Sequence, residues 1–180
     1  MGGVGPHIFV DETKEHGLIL AAAIVDVPRL AAARQAVAAL TLRGQRSIHF
    51  CKERNDRRRE ILGTFRRLGA AVVLYDATAH RDQRAAREAC LRALVLDAVK
   101  LDAERLVLEL DDSRHVADTR TLNHEMRLAG ATGRLRYDHM RAHEERLLSL
   151  PDAVAWSWAR GGEWKAAVLP MVEEIRSVAH

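Results

Sequence analysis

Three acidic residues occupy positions where a carboxylate could take part in chemistry. Asp11 ends an apolar segment that begins at His7, and Glu109 interrupts the apolar run from Leu106 to Leu110. A carboxylate in a buried strand costs folding free energy unless it is paired or binds a metal. Asp152 lies at the start of an apolar helical segment, from which it could project toward the strand ends. These acids are candidate ligands for a divalent cation such as Mg²⁺ or Mn²⁺, because such hard ions prefer oxygen.

Each acid also has a purely structural interpretation. Asp is a common turn former, so Asp11 is also consistent with the start of a polar turn. An arginine partner would stabilise Glu109 without any metal. Ser149, followed three residues later by Asp152, resembles a helix capping box. The residues alone leave these alternatives open.

The segment after Glu109 carries two further acids, Asp111 and Asp112. Strand alternation places Glu109 and Asp111 on one face and Asp112 on the other. The alternative is a turn formed by both aspartates together with Ser113. Both interpretations stay open from the sequence.

A histidine and a basic cluster are the next candidates. His49 lies in Ser47–Cys51, which we predict to be the third strand, and it could relay a proton or contact a phosphate. Lys52 follows, and the next helix opens with four arginines, namely Arg54, Arg57, Arg58 and Arg59. Arginine can bind a phosphate with two parallel hydrogen bonds, so this cluster predicts a nucleic-acid groove. The alternative is a solvated basic helix end.

Several other chemistries are disfavoured. The chain has no P-loop, no G-x-G-x-x-G and no G-x-S-x-G motif. Its two cysteines, Cys51 and Cys90, form no C-x-x-C motif, so we expect neither a disulfide framework nor a cysteine zinc site. His139 and His143 have the spacing of a helical metal pair, but the segment before His143 is predicted to be a strand.

Bulk properties indicate a single globular domain over residues 1–180. Hydrophobic residues make up 48% and charged residues 29% of the chain, and the formal net charge is +3. Arginine outnumbers lysine, which permits a nucleic-acid partner but also fits a bias of GC-rich coding DNA. The N-terminal residues lack a basic leader, and the apolar run from Leu18 to Val25 is too short to span a bilayer. We therefore expect a cytoplasmic protein without a membrane anchor.

Apolar periodicity predicts alternating strands and helices. The polar segment Thr13–Gly17 between two apolar runs predicts a hairpin. The predicted strands are His7–Glu12, Leu18–Asp26, Ser47–Cys51, Ala70–Ala77, Arg105–Leu110 and Leu135–Met140. The predicted helices are Pro28–Leu42, Asp56–Leu68, Gln83–Asp102, Thr119–Leu128, Leu150–Arg160 and Trp164–Val178. This order predicts an α/β fold with a mixed β-sheet flanked by helices.

Four segments together resemble a bacterial family catalogued as domain of unknown function 3800. The segment Ile8–Thr13 is similar to the family's F-x-D-E-S/T start, and Ile48–Glu53 to its I/V-H-F-x-K segment. The acid-bearing strand around Glu109–Asp112 has a counterpart, and Leu150–Trp156 resembles the family's closing helix. The resemblance spans nearly the whole chain. In this chain Thr13 replaces the commoner Ser, and Pro151 stands where the family often has Ala.

The resemblance implies an RNase H-like mixed sheet whose acids come from distant segments. By position, Asp11, Glu109 and Asp152 match the acids expected on the first strand, a central strand and the last helical region. Asp112 or Asp111 would be a further metal ligand. The implied cofactor is Mg²⁺ or Mn²⁺, and the implied partner is DNA or RNA.

Two hypotheses follow. The first is a divalent-metal-dependent nuclease, a hydrolase in which Asp11, Glu109 and Asp152 bind metal and His49 assists catalysis. Lys52, Arg54, Arg57 and Arg58 would then contact the nucleic acid. The second is a catalytically inactive nucleic-acid-binding or protein-interaction module on the same fold.

Overall fold

The computed structural model describes residues 4–178, so the first three residues of the expected leaderless N-terminus lie outside the described part. The chain forms one mixed six-stranded sheet with the order β5-β4-β1-β2-β3-β6. Its strands are β1 (His7–Thr13), β2 (Ile19–Val25), β3 (Ala71–Asp76), β4 (Arg105–Glu109), β5 (Arg136–Met140) and β6 (Val172–Ser177). The prediction of a mixed sheet flanked by helices is confirmed.

The first two strands form the predicted hairpin. They pair antiparallel from His7 opposite Val25 to Thr13 opposite Ile19. Gly17 lies in the connection at a φ of 102°, where a Cβ would also meet Thr78 at 3.0 Å. Glycine is favoured there because residues with a side chain rarely adopt a positive φ.

The central pair of strands sets up the candidate site. Strands β1 and β4 run parallel, with Val10 opposite Leu108 at the end of their shared register. The next residue on each strand is an acid, Asp11 on β1 and Glu109 on β4. Parallel pairing therefore carries two carboxylates to the same edge of the sheet.

Helices cover both faces of the sheet. Their bounds are α1 (Leu30–Leu40), α2 (Asn55–Phe65), α3 (Gln83–Lys100), α4 (His115–Leu128), α5 (Ser149–Arg160) and α6 (Gly162–Val168). Buried side chains of α1, α2, α5 and α6 share one apolar core with Phe9 and Ala21 of the sheet. Those of α3 and α4 share a second core with Ile8 and Val10. Successive residues of β1 thus point into different cores, because side chains alternate along a strand.

Two predicted elements are wrong. Ser47–Cys51 is not a strand, and its end forms a short 3₁₀ turn, Phe50–Lys52. The predicted helix Trp164–Val178 contains only α6, and the chain then returns through Pro170 to strand β6 beside β3. Tertiary pairing with β3 outweighs the local helical pattern there. No helix within residues 4–178 is long and apolar enough to cross a membrane.

Candidate functional site

Asp11 and Glu109 meet at the carboxyl ends of β1 and β4. The carboxyl group of Glu109 lies beside that of Asp11, and the backbone N–H of Glu12 donates to Asp11 Oδ1 at 2.7 Å. Burial raises the pKa of Asp11 well above its usual value, and the hydrogen bond with Glu109 and the charges of Asp152 and Glu109 raise it further. The carboxyl groups of the two strand acids therefore lie close enough for Glu109 to act on the ionisation of Asp11.

Asp152 reaches the same place from the start of α5. Its Oδ2 accepts a hydrogen bond of 3.1 Å from the backbone N–H of Phe50. Burial raises the pKa of Asp152 from 3.8 to about 6, the Phe50 hydrogen bond opposes this rise, and the charge of Glu109 adds to it. Asp152 is therefore electrostatically coupled to the two strand acids.

The capping-box interpretation of Ser149 and Asp152 is wrong. Ser149 lies inside the helix, and its hydroxyl donates to the carbonyl of Arg146 at 2.8 Å. Asp152 accepts from Phe50, outside its own helix. Its side chain therefore supports the 3₁₀ turn and faces the strand acids.

A cavity of about 30 Å³ lies between the three acids, which line it together with His49 and Ser149. A larger cleft of about 440 Å³ adjoins Asp11 and Glu109 and extends past Asp111 and Asp112. Within residues 4–178, no three His, Cys, Asp or Glu side chains form a preorganised metal site. The oxygen donors fit a hard cation by their chemistry. Burial and the neighbouring carboxylates raise the pKa of Asp11 and of Asp152, and the charge of Arg87 opposes this rise at Asp11.

His49 lines the small cavity although its segment is not a strand. Its side chain is exposed, and its Nε2 lies 3.1 Å from Ser47 Oγ. The imidazole thus lies at the margin of the cavity that the three acids line. The catalytic role of His49 stays a prediction.

Asp111 and Asp112 differ from the three central acids. Asp111 forms the turn expected from the sequence, since its Oδ1 accepts from both the hydroxyl and the N–H of Ser113. The Ser113 hydrogen bonds lower the pKa of Asp111. Asp112 is exposed and pairs with Arg141 at 3.0 Å. A role for Asp112 as a metal ligand stays a prediction.

The predicted basic cluster divides into two kinds of side chain. Arg57 is only 12% exposed, and it pairs with Glu60 and Glu53 and donates to the carbonyl of Leu40. Arg58 donates to the carbonyls of Phe50 and Cys51. Arg57 and Arg58 are half-buried, and the protein's own acids and carbonyls engage them. Lys52 and Arg54 are exposed, and Arg54 forms an exposed ion pair with Asp56 at 3.0 Å.

The sequence interpretation missed a buried ion network on the opposite face of β1. Arg87 of α3 forms two hydrogen bonds of 2.7 Å to Asp118 of α4 and an ion pair with Glu12. Lys14 also contacts Glu12, at 2.8 Å. No local sequence motif predicts this network. The one available signal is Arg87 on the inner side of its helix, because a buried arginine needs an acid nearby.

The comparisons with known proteins identify the fold. No protein-family model matches the chain, and no curated protein matches it. Among solved structures, the chain is similar to one described as the PCNA:RNase HII complex from Archaeoglobus fulgidus. The TM-score is 0.54 at 16% sequence identity, over 86% of this chain and 73% of that chain. The fold is therefore RNase H-like, as the sequence predicted.

Proposed function

We propose that this protein is a divalent-metal-dependent nuclease that hydrolyses phosphodiester bonds of DNA or RNA. The observation that carries the proposal is the meeting of Asp11, Glu109 and Asp152 around one small cavity, with no cation of the protein among its lining residues. Uncompensated carboxylates raise one another's pKa and cost stability. Such an arrangement persists where a cation is bound, and oxygen donors favour Mg²⁺ or Mn²⁺.

Each acid would act through its carboxylate oxygens. Asp11 and Glu109 would bind the cation from two adjacent strands, and Asp152, held by the Phe50 N–H, would bind it from α5. When bound, a divalent cation supplies the positive charge that activates water and stabilises the leaving oxygen. His49, which lines the same cavity, would transfer a proton at its imidazole or contact the phosphate. The exposed Lys52 and Arg54 would hold the nucleic acid.

The likeness to a structure of an RNase HII, at 16% identity, reports on the fold alone. The resemblance of four sequence segments to the domain of unknown function 3800 family supports the same choice of acids. The proposal therefore depends mainly on this chain's own carboxylates.

The decisive test is cleavage of labelled DNA and RNA oligonucleotides with Mn²⁺ or Mg²⁺. We expect wild type to cleave at least one of them, and Asp11→Asn or Asp152→Asn to lose at least about 100-fold in rate. Asp138→Asn is the matched control, because Asp138 is a carboxylate on β5 that pairs with Arg105 outside the cavity. Equal activity of Asp11→Asn and Asp138→Asn would contradict the assignment.

A second candidate is a nucleic-acid-binding module without catalysis. The observation in its favour is that no metal site is preorganised among residues 4–178. In that case wild type would bind an oligonucleotide, cleave none with either metal, and gain no thermal stability from Mn²⁺.

A further inference from the structure

The three tryptophans of the chain lie on α5 and at the start of α6, beside the 3₁₀ turn that supports Asp152. Trp156 and Trp164 pack edge to face with ring centroids 5.7 Å apart. Both also pack against Phe50, at 5.3 and 6.5 Å. Since the N–H of Phe50 binds Asp152, this aromatic cluster begins next to a candidate metal ligand and extends along α5 and α6.

Cationic side chains lie over these rings. The guanidinium carbon of Arg58 is 4.3 Å from the centroid of Trp156, and that of Arg160 is 5.9 Å from the same ring. The ammonium of Lys165 is 4.4 Å from the centroid of Trp158. Cation–π contacts hold flexible side chains in one place, so less entropy is lost when an anion binds. The rings therefore preorganise positive charge on the surface.

Much of this charge is uncompensated. Arg160 and Lys165 are exposed, and neither forms an ion pair with an acid among residues 4–178. Arg59 forms an ion pair with Glu163 at 3.3 Å, but the side chain of Arg59 is 57% exposed. Arg57, in contrast, has two acidic partners and little exposure. The positive charge without an acidic partner thus lies at the end of α5 and on α6, at Arg160 and Lys165, rather than at the start of α2.

We propose that this surface binds the phosphodiester backbone of a nucleic-acid strand leading to the acids. We call it the tryptophan–cation face and define it by the exposed cations that lie over tryptophan rings on different sides of α5 and at the start of α6. These are Arg160 over Trp156, Lys165 over Trp158 and Arg59 over Trp164. The inference rests on the proposed function and adds a route for the substrate. Cations already occupy faces of Trp156 and Trp158, so the contact is to phosphates and is independent of base sequence.

The test measures binding of a fluorescent single-stranded oligonucleotide in EDTA, where no cleavage takes place. The test variant is Arg160→Gln/Lys165→Gln. The matched control is Arg120→Gln/Arg127→Gln, which removes the same two charges from the exposed side of α4, on the other face of the sheet. We expect the test variant to bind roughly 10-fold more weakly at 0.1 M salt, with a log–log salt slope smaller by about 1.4. The control should bind like wild type.

Three results would overturn the inference. They are equal losses in the two double variants, no oligonucleotide binding by wild type at low salt, and tighter binding to phosphatidylserine vesicles or polyglutamate than to the oligonucleotide. Circular dichroism and tryptophan fluorescence verify that the variants are folded. The assay needs no metal, so binding is measured whether or not the protein cleaves. A failure of cleavage with intact binding therefore removes the proposed nuclease function and leaves the tryptophan–cation face.

Discussion

Asp11 and Glu12 are adjacent acids on β1, but their side chains lie on opposite faces of the sheet and have neighbours of opposite charge. Glu12 lies with Arg87 and Lys14, so its charge is compensated. Asp11 lies with Glu109 and Asp152, and its pKa is raised well above the usual value. The compensated face ties α3 and α4 to the sheet. The uncompensated face has the composition of a cation site. The charges of the neighbouring side chains therefore distinguish Asp11 from Glu12, although the two acids are adjacent in the sequence.

The largest effect should come from removing the cation of the compensated face. Arg87→Met would leave Glu12 and Asp118 buried without their shared partner, and we expect the free energy of unfolding to fall by about 3–5 kcal/mol. Chemical denaturation measures the change. Arg84→Met is the control, since Arg84 is exposed and its ion pair is with Glu88 one turn away, an interaction worth about 0.5 kcal/mol. Similar losses in both variants would remove the distinction between the faces.

Neutralising the two adjacent acids should change stability in opposite directions. Without metal, Asp11→Asn relieves carboxylate repulsion and should raise the melting temperature at pH 7. Glu12→Gln removes one of the two acids that pair with the buried Arg87 and should lower the free energy of unfolding by about 1–3 kcal/mol. Thermal denaturation in EDTA compares them. A loss of stability in Asp11→Asn as large as that in Glu12→Gln would mean that Asp11 is a structural acid.

The pKa of Asp152 predicts how the uncompensated face responds to pH. Its folded-state pKa of about 6 lies above its ordinary value of 3.8, so the folded protein binds this proton more tightly than the unfolded chain. The resulting stabilisation is present at low pH and is lost as pH rises through about 6. Asp152→Asn should therefore be more stable than wild type in EDTA at pH 7.5, and this advantage should shrink by pH 5. A constant difference across this range would contradict the raised pKa.

The smallest effect concerns Asp112, at the margin of the cleft. Its ion pair with Arg141 is exposed, so Asp112→Asn should change the free energy of unfolding by less than about 0.5 kcal/mol. The same variant tests the expected ligand role through Mn²⁺-induced thermal stabilisation. If Mn²⁺ raises the melting temperature of Asp112→Asn as much as that of wild type, Asp112 is not a ligand and the candidate site consists of the three central acids.

Much of the fold was predictable because its strands carry strong local signals. The hairpin β1–β2 and strands β3 and β4 are short apolar runs bounded by polar residues, and the structure confirms them. Strand β6 was missed because its charged sequence, Val172–Ser177, lies at a sheet edge and gains its structure from pairing with β3. Edge strands commonly carry such charges, which obscure the strand pattern.

The sequence selected candidate residues for the site, but it did not predict their contacts. The resemblance of short segments selected Asp11, Glu109 and Asp152, whereas the link between Asp152 and Phe50 depends on a turn that local pattern presents as a strand. The engagement of Arg57 with Glu53 and Glu60 is likewise a property of the folded surface. A sequence gives the charge of each side chain, but only the fold decides which charges neutralise one another.

The most direct test of the central claim is calorimetric titration of the metal-free protein with Mn²⁺, for wild type, Asp11→Asn and Asp138→Asn. If Asp11, Glu109 and Asp152 form a cation site, wild type and Asp138→Asn bind Mn²⁺ with the same affinity, and Asp11→Asn loses at least about 10-fold. No Mn²⁺ binding by wild type, or equal affinity in Asp11→Asn and Asp138→Asn, would contradict the claim that the uncompensated face of β1 is a metal site.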